Sequence, residues 1–230
     1  MMIRCSPKRS IQLTAVVLLS SLGCDLSISN LASRPSIRGN GVVVTQERSI
    51  EDFDSVEVHG GVRIEISCDA EPELTISGEE NLLAIIETTC VDGRLKIRSN
   101  QSYSTTQPIK IQASCSQLKR YEGSGASRGT IVEVHSDSLD AQLSGASSLV
   151  VQSGRVGTLK GNTSGASTLQ ADTLQISKAQ VATSGASRMA LQVAEKLSAS
   201  ASGSSRITYR GSPEIVSRET SGVSSIREQK

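Results

Sequence analysis

A four-residue motif recurs through the second half of the 230-residue sequence at a nearly constant spacing. The intervals between successive copies are 20, 20, 20, 18 and 19 residues. A period of about 20 residues is typical of a solenoid, in which each repeat forms one coil and contacts only its neighbours. The motif is Ser-Gly-Ala-Ser in four copies, then Ser-Gly-Ser-Ser and Ser-Gly-Val-Ser, and its first serines are Ser124, Ser144, Ser164, Ser184, Ser202 and Ser221.

Apolar and polar residues alternate beside the motif, as in Ala141-Gln-Leu143 and Val181-Ala-Thr183. Alternation with a period of two indicates β-strands. Aromatic residues make up only 2% of the chain, which favours a narrow interior, because aromatic side chains supply much of the bulk of a thick core. We therefore predict an all-β fold in which residues 124–227 form a β-solenoid, a parallel β-helix-like stack with coils of about 20 residues.

The second position of each motif copy is a glycine, and the sequence allows two roles for it. If the alternation continues through the motif, each glycine points into the core, and the second serines form a ladder of hydroxyls inside it. If the glycine instead adopts a positive φ at a corner, the alternation changes phase and the next residue turns inward. The six glycines of this structural repeat are Gly125, Gly145, Gly165, Gly185, Gly203 and Gly222.

Residues 42–123 form a second region that is also rich in strand patterns but is less regular. Alternation over Val56–Ile66 is interrupted by Gly60-Gly61, and residues 80–88 are predicted to form a short helix or an irregular cap. An atypical terminal unit is the expected cover for one end of a solenoid. We predict that residues 42–123 are this irregular, β-rich N-terminal part.

The first 23 residues have the features of a lipoprotein signal peptide. Three basic residues precede the short apolar run Ile11–Leu22, which ends at Gly23-Cys24. The run is too short to span a bilayer comfortably and is typical of a signal sequence. We predict that residues 1–23 are removed, that Cys24 carries the lipid, and that residues 24–41 tether the protein to a membrane of the bacterial envelope. A plain secretory signal with a nearby cleavage site is the alternative.

Three cysteines remain in the predicted folded part, namely Cys68, Cys90 and Cys115. An exported protein favours one disulfide with one thiol left over. Three separate thiols buried as small apolar side chains are an equal alternative. Neither a zinc site nor any other metal or cofactor is expected, because the sequence lacks a Cys-x-x-Cys pair and its histidines, His59 and His135, are far apart.

Composition and repetition argue against two classes of function. The chain carries 24 basic and 23 acidic residues and few aromatic ones, so nucleic acid is not an expected partner. The motif serines occur in near-identical surroundings, whereas a nucleophile requires a dedicated base and a third group that orients it. We therefore predict no catalytic residue and no enzymatic activity.

Several segments resemble the bacterial head GIN domain family, also called putative auto-transporter adhesins. The segments are Phe53-Asp-Ser-Val-Glu-Val-His-Gly-Gly-Val, Ile76-Ser-Gly-Glu-Glu-Asn-Leu-Leu, Val91-Asp-Gly-Arg-Leu-Lys-Ile, the serial motif, and the ending Tyr209-Arg-Gly-Ser-Pro with Ser221-Gly-Val-Ser-Ser-Ile. The resemblance covers roughly residues 50–227 and implies an exported all-β protein with β-helix-like architecture. The family offers no established catalytic residues to transfer to this chain.

Two functions are compatible with these features. The first is a non-enzymatic envelope protein, an adhesin-like or binding β-helix held by its lipid anchor, whose long sides contact a glycan or protein. The second is a self-assembling scaffold in which coils of different molecules stack end to end.

Overall fold

In the computed structural model, the strands of each coil pair with strands of the neighbouring coils. The hydrogen bonds between them are therefore perpendicular to the path of the chain within a coil. The structure describes residues 36–229, of which 64% are strand and 2% are helix. About five turns of β-solenoid are present. The predicted all-β solenoid is confirmed, whereas the predicted signal peptide and Cys24 lie outside the described residues.

The N-terminal part contains nine strands and one short helix. Their bounds are β1 Ile37–Arg38, β2 Val43–Glu47, β3 Ser55–His59, β4 Arg63–Cys68, β5 Glu73–Glu79, α1 Glu80–Leu83, β6 Ile86–Val91, β7 Arg94–Ser99, β8 Tyr103–Ser104 and β9 Lys110–Cys115.

The repeat region contains ten further strands, two of which bend around a corner and therefore contribute to more than one side of the solenoid. Their bounds are β10 Arg120–Ser124, β11 Arg128–Ile131, β12 Val134–Leu143, β13 Ser148–Val151, β14 Gly154–Thr163, β15 Thr168–Thr183, β16 Arg188–Ala201, β17 Arg206–Arg210, β18 Glu214–Thr220 and β19 Ser225–Glu228.

Two parallel ladders define the main sides of the solenoid. The strand before each motif pairs with its equivalent in the next coil, so that β10, β12, β14, β15, β16 and β18 form the first ladder. The strand after each motif does the same through β11, β13, β15, β16, β17 and β19. Equivalent residues therefore lie above one another, as Leu149, Leu169, Met189 and Ile207 do inside the core.

The N-terminal part continues the same stack, but not in chain order. Strands β3 and β4 pair in parallel with β10 and β11 on one side and with β7 and β9 on the other. The chain thus builds one coil, leaves it to build the terminal layer, and returns to begin the repeats. Antiparallel pairing of β6 with β7, and of β5 with β2 and β9, completes this terminal layer. The short helix α1 buries Leu82 and Leu83 there.

Each motif forms a tight corner, and this corner combines parts of both predicted arrangements. All six repeat glycines have φ between +71° and +74°. They are exposed at the corner, so the prediction that they point into the core is wrong. The following residue, such as Ala146, is exposed as well, and it is the second serine, Ser147, that is buried.

Close stacking explains why these positions require glycine. The amide of Ala166 donates to the carbonyl oxygen of Gly145 at 2.7 Å, and the same bond recurs at the adjacent corners. A Cβ atom at Gly165 would lie 2.5 Å from that oxygen. A side chain would therefore collide with the backbone of the preceding coil, in addition to straining the left-handed conformation.

The buried second serines form the predicted ladder. The Ser147 hydroxyl contacts the carbonyl oxygens of Ser144 at 2.9 Å and Gly123 at 3.1 Å. Ser167 and Ser187 repeat this pattern with the carbonyl oxygens three and 24 residues before them. These three hydroxyls satisfy carbonyl groups at a corner, where the strand ladders are interrupted, whereas the buried hydroxyl of Ser127 in the first motif has no hydrogen-bond partner.

One aromatic residue occupies the interior of the first motif coil. Tyr121 is fully buried, and Gly123 and Gly129 lie beside its ring. A Cβ at Gly129 would lie 2.2 Å from the Tyr121 hydroxyl, which explains why this coil has glycine where the following coils have leucine, methionine or isoleucine. Burial raises the pKa of Tyr121 because the phenolate is poorly solvated inside the solenoid.

The end of the predicted tether contacts the N-terminal part. Strand β1 pairs with β8, and the amide of Gly41 donates to the Glu79 carboxylate at 2.8 Å. Glu79 also accepts hydrogen bonds from Thr105 and Thr106, and these bonds lower its pKa. The last residues of the 24–41 segment are therefore held against the β-sheet.

Candidate functional site

The outer surface of the first ladder carries a continuous polar groove. Alternation directs every second side chain outward, so each coil presents the first serine of its motif and the side chain two positions before it, which is polar in every coil of the groove except the one with Ala182. The groove encloses about 430 Å³. We call it the serine groove and define it by the outward residues His59, Glu122, Ser124, Gln142, Ser144, Asn162, Ser164, Ala182, Ser184, Ser200 and Ser202.

Repetition gives the groove a regular chemistry. Coils stack at about 4.8 Å, the usual distance between paired strands, so the first serines offer hydroxyls at that interval along the groove. Beside them, Gln142 pairs in register with Asn162 and places two side-chain amides in the middle of the groove. Hydroxyl and amide groups both donate and accept hydrogen bonds, so the groove suits a ligand rich in polar groups.

A hydrogen-bonded network closes the N-terminal end of the serine groove. His59 lies opposite Ser124 in the pairing of β3 with β10, and Glu57 lies two residues earlier on the same face of β3. The His59 Nδ1 atom is 2.5 Å from the Ser124 hydroxyl, and its Nε2 atom is 2.5 Å from the Glu57 carboxylate. Lys96, in the adjacent strand β7, donates to the same carboxylate at 2.9 Å.

The charges in this network determine the direction of its hydrogen bonds. Hydrogen bonds from His59 and Lys96 lower the pKa of Glu57, so its carboxylate is ionised at neutral pH. An ionised carboxylate only accepts, so His59 donates through Nε2, and in the neutral imidazole Nδ1 is then an acceptor. When the imidazole is neutral, Ser124 therefore donates to Nδ1 of His59, and the hydroxyl oxygen of Ser124 becomes a stronger acceptor toward a ligand.

The repeated motif does not predict this network. Repetition predicts near-identical surroundings for all motif serines, but Ser124 alone among the first serines of the described repeats contacts an imidazole. The contact depends on the pairing of residues 65 positions apart. The alternating Glu57 and His59 are visible in the sequence, but the strand opposite them is not.

Serine hydrolases also contain a serine that contacts a histidine, which in turn contacts a carboxylate. Here the three side chains project from an outer sheet face, and the His59 side chain is 43% exposed. Hydrolytic catalysis further requires donors aimed at the developing oxyanion in a site that excludes water. The arrangement therefore suits hydrogen bonding to a ligand better than acyl transfer.

The other candidate residues lie outside this groove. His135 is exposed and lies 3.0 Å from Asp69. Within residues 36–229, no group of three His, Cys, Asp or Glu side chains has a geometry that would hold a metal ion. No helix in this same span is long and apolar enough to cross a membrane.

Comparisons with known proteins identify the fold and the family of similar sequences. The sequence profile described as "Putative auto-transporter adhesin, head GIN domain" matches residues 52–213. A search among curated proteins finds no match.

Solved structures with the same fold include proteins from Bacteroides and Parabacteroides species. A putative adhesin from Bacteroides fragilis has a TM-score of 0.68 at 20% identity, over 84% of this chain and 100% of its own. A putative adhesin from Parabacteroides merdae has a TM-score of 0.57 at 17% identity, over 85% and 99%. A protein described as a putative lipid binding protein from Parabacteroides distasonis has a TM-score of 0.54 at 23% identity, over 85% and 100%.

Proposed function

The chain belongs to the head GIN domain family of putative auto-transporter adhesins, and from this premise we propose that it is a non-enzymatic, adhesin-like protein of the bacterial envelope. It binds a glycan or protein partner along the serine groove. The single observation that carries this proposal is the regular row of hydroxyl and amide side chains on one open face of the solenoid.

The chemistry of the groove favours a partner with many hydroxyl groups, and therefore a glycan. Hydroxyls and neutral amides line most of its length, and the carboxylate of Glu122 and the imidazole of His59 lie toward its N-terminal end. Such a surface forms many individually weak hydrogen bonds, each contributing about 0.5–1.5 kcal/mol. An extended ligand that contacts several coils accumulates these contributions, as multivalent binding does.

Attachment to the membrane is the second part of the proposal. Cys24 follows a short apolar run and carries the lipid, which would hold the solenoid at the periplasmic or outer surface of an envelope membrane. Mass spectrometry of the membrane fraction is expected to find an acylated peptide that begins at Cys24. An unmodified N-terminus at another residue would remove the anchor and leave export and the groove unaffected.

A binding screen tests the function. The exported full chain, extracted in detergent, is applied to immobilised glycans and proteins, and we expect saturable binding to a hydroxyl-rich polymer. The variant Gln142→Ala/Asn162→Ala is expected to lose most of this binding because it removes both amides from the groove. The matched control Gln152→Ala/Gln170→Ala removes two exposed amides outside the groove and is expected to bind normally.

A scaffold function has one observation in its favour. The large apolar side chains that are exposed in the described part of the chain all belong to its two terminal layers. The edge strands β2 and β6 form one end, and β18 and β19 form the other. The exposed residues are Val42, Val43, Val91, Ile215, Val216 and Val223.

Unpaired strand edges with apolar side chains favour association with further strands. Sedimentation of the protein over a hundredfold range of concentration distinguishes the two functions. A scaffold gives growing polymers that Val216→Lys suppresses, whereas an adhesin-like protein keeps one sedimentation coefficient and retains its groove-dependent binding.

A further inference from the structure

We propose that Cys68 and Cys115 form a disulfide in the exported protein and that Cys90 remains a thiol. The proposal goes beyond ligand binding and concerns the junction between the solenoid and its terminal layer. It rests on export for the cellular oxidant but not on the identity of any partner.

Strand register places the two cysteines side by side. Cys68 ends β4 and Cys115 ends β9, and the two residues are direct partners in the parallel pairing of these strands. Paired strands lie about 4.8 Å apart, a spacing within the usual Cα separation of about 4.4–6.8 Å in disulfides. Both side chains point into the core, where Cys68 is 9% exposed and Cys115 is fully buried.

Cys90 is placed differently and has no cysteine partner among residues 36–229. It lies in β6 opposite Leu95, in the ladder that contains β7 and β3, whereas Cys68 and Cys115 belong to the ladder that contains β4 and β9. Its thiol lies 3.5 Å from the carbonyl oxygen of Glu51. Of the three pairings that the sequence allows, only Cys68 with Cys115 joins residues that the fold brings into register.

Contact between the two thiols is consistent with this pairing. A hydrogen bond from the Cys115 side chain lowers the pKa of Cys68, and the same contact together with burial raises the pKa of Cys115. Cys68 is therefore the sulfur that becomes the thiolate, which is the species that attacks a disulfide.

Oxidation requires an external disulfide, supplied in the cell by a thiol oxidoreductase of the envelope. The Cys68 thiolate attacks one sulfur of that disulfide, forms a mixed disulfide and releases the other sulfur as a thiolate. Cys115 then loses its proton and attacks the Cys68 sulfur, which releases the second sulfur of the oxidant as a thiolate. The chain has lost two protons and two electrons, and the oxidant has become a dithiol.

The bond would fasten the terminal layer to the first coil of the solenoid. The loop between the two cysteines contains β5, α1, β6, β7 and β8. This segment leaves the stack after β4 and returns to it at β9, so it joins strands that are far apart in the sequence. A disulfide that closes this loop restricts the conformations of the unfolded chain.

Peptide mapping provides the decisive test. The full chain is reduced, refolded with glutathione disulfide, alkylated in denaturant and digested with trypsin plus a glutamyl endopeptidase. Cleavage at Glu65, Glu73 and Glu87 separates Cys68 from Cys90, because the bond between Glu71 and Pro72 resists the endopeptidase. We expect the fragment 66–73 to be linked to 111–119, with Cys90 alkylated in 88–94. Alkylation of all three cysteines, or a link that includes Cys90, would overturn the proposal.

Thermal unfolding provides an independent readout. Reductant is expected to lower the melting temperature of the oxidised protein by roughly 5–15 °C. The Cys90→Ser variant keeps this response, and Cys68→Ser/Cys115→Ser loses it. A response to reductant that persists in the double variant contradicts the assignment. Protein isolated directly from the membrane fraction tests export separately. If the refolded chain is linked by the disulfide but the cellular chain is fully reduced, the predicted localisation is wrong rather than the pairing.

Discussion

At the scale of single residues, the corner glycines allow the backbones of adjacent coils to stack in close contact. Their carbonyl oxygens accept hydrogen bonds from the following coil, and their Cα hydrogens face the backbone of the preceding one. The cost of a side chain at these positions is therefore independent of its polarity. It comes from the positive φ and from the approach of the backbones.

Gly165→Ala is expected to destabilise the fold by about 1–3 kcal/mol, because it combines left-handed strain with a collision at the Gly145 oxygen. Urea unfolding measures the change. Ala166→Ser at the next, exposed position of the same corner is the control and is expected to stay within about 0.5 kcal/mol of the parent. Equal stabilities of the two variants would show that the corner tolerates a side chain.

Tyr121 and Gly129 are complementary in size, because the large ring of Tyr121 fills the space that a side chain at position 129 would occupy. The Tyr121 hydroxyl is buried without a hydrogen-bond partner, so Tyr121→Phe is expected to raise the free energy of unfolding by about 1–3 kcal/mol. Denaturant titration of both proteins measures this difference. A loss of stability in Tyr121→Phe would mean that the hydroxyl is satisfied in solution.

Gly129→Ala tests the same pair from the opposite side. The added methyl group meets the Tyr121 ring, so the substitution is expected to destabilise the parent protein and to be tolerated in a Tyr121→Leu background. A double-mutant cycle measures this coupling. Additive effects would contradict a direct contact.

At the scale of elements, two networks join neighbouring strands, one inside the solenoid and one on its surface. The inner one is the ladder of second serines at the corners. The outer one joins β7, β3 and β10 through Lys96, Glu57, His59 and Ser124.

Ser167→Ala tests the inner ladder. The substitution leaves the carbonyl oxygens of Ser164 and Leu143 without this donor, so it is expected to cost about 0.5–1.5 kcal/mol. Because Ser167 faces the core, ligand binding should not change once the protein is folded. A loss of binding at unchanged melting temperature would assign this buried serine a functional role.

The outer network predicts a pH dependence of stability. The pKa of Glu57 is lowered in the folded state, so its contribution is present above the unfolded pKa of about 4.3 and is lost as the pH falls through the folded value. Glu57→Gln is therefore expected to be less stable than the parent at pH 7, and the difference should vanish near pH 2.

Urea unfolding between pH 2 and pH 7 measures this difference. The matched variant Glu65→Gln changes an exposed carboxylate on the next strand and is expected to follow the parent at every pH. A constant difference between Glu57→Gln and the parent over the whole range would exclude the carboxylate as its source.

At the scale of the whole molecule, the repeat period predicts the solenoid because each coil repeats the same local pattern. The spacing of the motif determines the coil length, and alternation determines which residues face the core. The phase at the corner is not predictable in this way, because it depends on φ at each repeat glycine and on how closely adjacent backbones approach.

The order in which the strands stack in space is the other feature that could not be predicted from the sequence. Strands β3 and β4 lie between the terminal layer and the repeats, although they precede both in the chain. The contact of His59 with Ser124 and the register of Cys68 with Cys115 both follow from this order. Pairing between distant strands is determined by the whole fold rather than by any local pattern.

Location of the ligand on the surface is the most direct test of the central claim that the serine groove is the binding face. Once a ligand is identified, its affinity is measured for the parent, for Ser124→Ala and for Ser144→Ala/Ser164→Ala, with Gln152→Ala/Gln170→Ala as the control outside the groove. We expect a loss of affinity of about fivefold or more in both groove variants, equivalent to about 1 kcal/mol, and no change in the control. Full affinity in both groove variants, with unchanged melting temperatures, would contradict the account and place the binding face elsewhere on the solenoid.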